Sequence, residues 1–138
     1  MTSKEYLSQI YRIDCHINSM LLELKDLEDK LDSLGGAPGE RVQTSAKNDA
    51  AFVNGVLKVA DFKRSIEKEI DNLIEKKREI GAAIEKVSST DEKIVLRFRY
   101  VNCLSWESIA EQMNYSLRQI YNIHNRALMN FEIPKTLH

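Results

Sequence analysis

The stretch LSWESIAEQMNYSLRQIYNIHNRALMNF, residues 104–131, decides the fold. Ser105 stands just before an apolar-periodic run, where its hydroxyl can accept a hydrogen bond from the free amides of a helix start. Glu107 falls in the first turn, which the helix dipole makes favourable for a carboxylate. The spacing predicts a short helix over 106–113. Asn114 then takes a turn position that demands left-handed backbone, which glycine adopts freely and asparagine tolerates next best. Ser116 can cap a longer helix running from 117 to about 131. Ala110 stands where two helices approach closely and only a small side chain fits. Ile109, Met113, Tyr115, Ile120 and Ile123 fill the inward slots. Two helices so joined form a helix-turn-helix. Upstream, Ile94, Val95, Phe98 and Val101 mark a further helix over 91–101, with Asn102-Cys103-Leu104 as its turn.

Toward the N-terminus the pattern is different. Tyr6, Ile10, Ile13, Ile17, Met20, Leu24, Leu27, Leu31 and Leu34 are separated by steps of alternately 4 and 3. This is a heptad seam of roughly 43 Å that needs a partner helix. Leu7, Leu21 and Leu22 broaden the stripe, which favours a bundle of more than two helices. Gly35-Gly36-Ala37-Pro38-Gly39 stops the helix. A second seam runs Phe52, Val56, Val59, Lys63, Ile66, Ile70, Leu73, Lys77, Ile80, Ile84 and Val87. Lys63 and Lys77 either fix register as polar seam residues or snorkel outward while Phe62 and Ile74 take over the core contact. The expected architecture is all-α: an oligomerising antiparallel hairpin over 1–90 (helices about 4–34 and 49–87, loop 35–48), then a three-helix module over 91–138. Two hairpins pairing into a four-helix homodimer would cover both seams.

Composition agrees. Only 5 glycines and 2 prolines in 138 residues argue against a strand-and-turn protein. No run of roughly 18 to 20 uncharged apolar residues exists to span a membrane. The N-terminus lacks the apolar block of a signal peptide, so a cytosolic location is expected. Cys15 and Cys103 lie outside any C-x-x-C pattern and read as free thiols. The net charge of −1 hides a gradient, with 4 basic and 7 acidic residues over 1–34 but no acid between Glu111 and Glu132.

That acid-free stretch suits a polyanion. Arg118, Tyr121, Asn122 and Asn125 share one side of the last helix, opposite Ile120, Ile123, Ala127 and Phe131. Arginine matches guanine and asparagine matches adenine in the major groove. Gln119 and Arg126 flank this face where phosphates would lie, and Ser116 with the first amides, from Leu117 on, suits a phosphate too. Any solvated helix face also carries such residues, so the helix-turn-helix geometry gives the reading its weight.

Val95-Leu96-Arg97-Phe98-Arg99-Tyr100, Leu104 to Ala110, and Ser116 to Phe131 with Arg126-Ala127-Leu128 resemble region 4 of bacterial sigma factors, the module that binds the promoter −35 element. Trp106-Glu107-Ser108-Ile109-Ala110, Tyr115-Ser116-Leu117-Arg118 and Tyr121-Asn122-Ile123-His124 resemble, more closely, late transcriptional regulators of the RinA and ArpU type from phages and prophages of Gram-positive bacteria. The resemblance extends to the long N-terminal helices and their Gly-containing loop. It implies activation of phage genes together with host RNA polymerase. No segment resembles the core-polymerase-binding or −10-melting regions of a sigma factor. With Leu117, Arg118, Tyr121 and Asn122 at the reading positions, an operator other than the standard −35 element is expected.

Other residues admit two readings each. Cys15-His16 adjoin, but no further ligand stands at metal-binding spacing. His124 either touches a phosphate or is solvated. Trp106 either packs in the small core or anchors a partner. Arg97 and Arg99 either meet phosphate or polymerase, or pair with Glu92 and Glu107. No catalytic motif, metal set or cofactor loop emerges. The expected function is therefore a sequence-specific regulator binding double-stranded DNA. Its rivals are a polymerase-binding adaptor that does not read DNA itself, and a phage DNA-packaging protein pairing a helix-turn-helix with a coiled coil.

Overall fold

The computed structural model describes residues 1–35 and 46–135. Every regular element among them is helical: α1 (Ser3–Leu7), α2 (Gln9–Gly35), α3 (Ala46–Ile84), α4 (Thr90–Leu96), α5 (Trp106–Met113) and α6 (Leu117–Asn130). The loop expected at 35–48 falls mostly on 36–45, outside the described residues. No described helix is long and apolar enough to cross a membrane.

The chain divides into two compact units, one of residues 1–14 with 72–138 and the other of residues 15–71. This differs from the division expected at residue 90. The physical reason is in the first unit's core. Tyr6, Leu7 and Ile10 pack with Ile80, Ala83, Ile84 and Val87, and the same cluster takes in Leu96, Tyr100, Val101, Ala127 and Phe131. The two outer ends of the expected hairpin thus belong to the helix-turn-helix core. Tyr6 donates a 2.7 Å hydrogen bond to Glu79, and its ring lies 5.9 Å from that of Phe131. A second cluster joins Val95, Ile109, Ala110, Ile120 and Ile123, with Met113, Tyr115 and Trp106 packed against it. All five inward slots expected of the helix-turn-helix are therefore occupied as read.

Local chemistry sets the element boundaries. Ser89 caps α4 by accepting from the amide of Glu92. After Leu96 the helix widens into a π turn over Arg97–Val101, in which the Asn102 amide reaches back to the Arg97 carbonyl at 2.9 Å. Single π turns of this kind occur inside helices where a residue must be re-aimed. Ser105 caps α5, and Asn114 ends it at φ 57° and ψ 40°. Cys103 also has left-handed backbone, at φ 55°.

In the second unit, α2 and α3 run antiparallel, as the pairs His16–Glu69, Glu28–Lys63 and Leu31–Gly55 require. Lys63 points outward to Glu28 at 3.5 Å while Phe62 is half-buried, so here the snorkelling reading holds. At the other slot it does not. In the first unit, Lys77 and Ile74 are both exposed, and Leu73 supplies the core contact.

Candidate nucleic-acid interface

The α5–turn–α6 segment presents the side chains singled out in the sequence. Its turn is held from both ends. The Tyr115 amide reaches the Ala110 carbonyl at 3.0 Å, and the Tyr115 hydroxyl donates to Asp91 of α4 at 2.8 Å. That hydrogen bond to a carboxylate raises the Tyr115 phenol above its ordinary pKa. Ser116 then closes a reciprocal cap: its hydroxyl accepts from the Gln119 amide at 3.1 Å while the Gln119 side-chain oxygen accepts from the Ser116 amide at 2.9 Å.

Ser116, Leu117, Arg118, Gln119, Tyr121, Asn122, Asn125 and Arg126 are all exposed. The cap engages Ser116 and the oxygen of Gln119, leaving the Gln119 amide nitrogen to face outward partners. Tyr121 is set by its edge contact with Trp106, at 5.4 Å between ring centroids. Gln119, Asn122 and Arg126 line a cleft of about 330 Å³ together with Asp91, Tyr115 and Ile123. Asp91 is an acid that the reading of α6 alone missed, because it arrives from a separate helix.

His124 requires a correction. Neither of its expected readings holds, for it is buried beneath the outer face at 6% exposure. Its Nε2 lies 2.7 Å from the Tyr100 hydroxyl, and its ring meets Trp106 edge-on at 4.6 Å. Burial, reinforced by the positive charges of Lys4 and Arg99, lowers its pKa from 6.5 to about 4. A neutral imidazole there accepts a hydrogen bond from the Tyr100 hydroxyl at Nε2 and keeps Trp106, and through it Tyr121, in place. Trp106 packs in the small core, the first of its two readings.

Of the two readings for the arginines, the pairing with Glu92 and Glu107 does not form. Arg97 approaches Glu85 at 3.8 Å rather than Glu92 or Glu107. Arg99 donates to the Leu104 carbonyl at 3.0 Å, and its guanidinium lies 4.3 Å from the centre of the Trp106 ring. Glu92 is instead buried and accepts from Asn130 at 2.9 Å.

Beside Arg99 lies a hollow of about 400 Å³ at the start of α5, lined among others by Lys4, Tyr11, Ser105 and Trp106 and by no acid. Sequence reasoning missed Lys4, since nothing local signals that α1 would come to rest against α6. Among the described residues no group of three or more His, Cys, Asp or Glu side chains is placed to hold a metal ion, and His16 is paired with Glu69 at 3.1 Å.

Residues 40–132 match a family model described as "Protein of unknown function (DUF1492)". The chain belongs to the DUF1492 family. No curated protein and no solved structure matches it. The DUF1492 match takes in α4, α5 and α6 with their caps and turn. It leaves out Tyr6, Leu7 and Ile10, which complete the core beneath them.

Proposed function

We infer that this DUF1492 chain is a sequence-specific, double-stranded-DNA-binding transcriptional regulator, an activator of phage late genes that works in the cytosol with host RNA polymerase. The observation that carries the reading is the outer face of α6. Arg118, Tyr121, Asn122 and Asn125 stand exposed on a helix without acids, behind a turn whose backbone is locked by Asn114 and the Ser116 cap. A helix so presented enters the major groove with its N-terminal half on the base edges. Arg118 and Asn122 read bases there, while Leu117 and Tyr121 supply apolar contact to thymine methyls. Arg126 and the amide nitrogen of Gln119 meet one backbone. Lys4 and Arg99, at the start of α5, meet phosphates on the other side of the groove.

Selection of bound duplexes from a random-sequence pool tests this at near-physiological salt. A shared motif is expected, and Arg118→Ala with Asn122→Ala should abolish its enrichment, each lost base contact costing about 1–3 kcal/mol. Arg126→Ala should weaken every duplex alike and lower the salt slope by about 1. A pool that emerges without any shared motif would overturn autonomous reading and leave the polymerase adaptor as the better account.

A further inference from the structure

The second compact unit, residues 15–71, carries an apolar surface that its own two helices do not cover. Among its described residues three apolar side chains are buried, Ile17, Val59 and Ile66, whereas eight large ones are exposed. Leu22 at 69%, Leu57 at 58% and Val53 at 55% are the extremes. Phe52, Val56 and Ile70 lie on the α3 seam itself and still stay exposed. Two antiparallel helices meet along one line, so side chains on a broad stripe must find a second layer.

We propose that this layer is a second copy of the same chain, seated on the 15–71 face by a two-fold axis that lays α2 of one protomer over α3 of the other. Charge selects this occupant. Residues 15–35 hold 5 acids and 2 bases, while residues 50–71 hold 4 of each, so laying α2 over α3 avoids setting two acidic α2 helices face to face. On the α2 stripe Leu22 is followed at helical spacing by Asp26 and Asp29, and on the α3 stripe Leu57 is followed by Asp61, which pairs with Arg64, and by Lys68. An isologous pairing meets each acidic α2 stripe with an α3 stripe of net positive charge, twice. The area is also adequate. Twenty residues of helix are about 30 Å long, and two helices side by side are about 20 Å wide. The face is thus on the order of 600 Å² in projection, and side-chain relief raises it toward the about 800 Å² that each partner gives to a standard interface.

Sedimentation of the full chain between 1 and 50 µM should show a dimer of the 15.9 kDa protomer. Leu22→Glu with Leu57→Glu should give a monomer of unchanged helical content. Should that variant unfold, exposed charges decide. Asp26→Lys with Asp29→Lys, and separately Arg64→Glu with Lys68→Glu, should each raise the dimer dissociation constant at least tenfold, and mixing the two should restore dimers as a heterodimer. A parent chain that is monomeric at 50 µM, one that forms trimers or larger rings, or a dimer indifferent to these changes would overturn the proposal. None of these outcomes depends on whether the chain binds DNA.

Discussion

His124 is the residue on which a pH dependence turns. Folding lowers its pKa to about 4 against the ordinary 6.5, so between those values the unfolded chain binds a proton that the native chain refuses. Stability is then fully present above about pH 6.5 and falls as the pH drops toward 4, by at most about 3 kcal/mol from this one group. Denaturant midpoints measured from pH 7 to pH 4.5 should decline more steeply for the parent than for His124→Leu, and equal slopes would refute the assignment. The position could not be resolved from sequence. It lies four residues after Ile120, at core spacing, yet next to the solvent-facing Asn125, so periodicity allows either side. The charges that depress its pKa come from Lys4 and Arg99, distant in the chain. Asn114 is the opposite case. Its left-handed backbone is a property of the residue and its immediate neighbours, and a reader needs only the local string to anticipate it.

At the scale of elements, boundaries are legible wherever a cap writes them. Ser89, Ser105 and Ser116 each accept from the amide three residues on, and helices begin after each. Removing the hydroxyl from the reciprocal cap should therefore show. Ser116→Ala is expected to cost about 1 kcal/mol in urea unfolding and to loosen the first turn of α6, which carries Leu117 and Arg118. A loss near zero would mean that the Gln119 half of the cap suffices alone. The π turn at Arg97–Val101 had no such signature. Its five residues read as ordinary helix, and what widens the backbone is the need to pack Tyr100 and Val101 into one cluster while Phe98 serves the other. Where a helix stops depends on neighbours more than where it starts: α3 ends at Ile84 although its apolar spacing runs on to Val87.

For the molecule as a whole, the unbroken 4-and-3 run from Tyr6 to Leu34 concealed a change of partner. Its first two turns pack with the C-terminal helices, and heptad spacing is blind to what lies across the seam. Ser3 even approaches the Phe131 carbonyl, at 3.5 Å. A fragment of residues 91–138 should consequently fail to fold alone, because Leu96, Tyr100, Val101, Ala127 and Phe131 would lose one wall of their core; dispersed amide resonances from that fragment would refute this. In the full chain Leu7→Ala, at a site with 0% exposure, should cost about 2–5 kcal/mol and unfold the region around Trp106 along with α1, as followed by tryptophan fluorescence. The contact between Tyr6 and Phe131 also bears on how the protein is made. A ribosome adding about 5–20 residues per second leaves the first helix waiting roughly 6 to 25 s before its counterpart is synthesised. Any message cut short before the codon for Phe131 yields a chain with no finished core. The first helix is thus a clasp that closes last, and incomplete copies are left as substrates for chaperones and proteases.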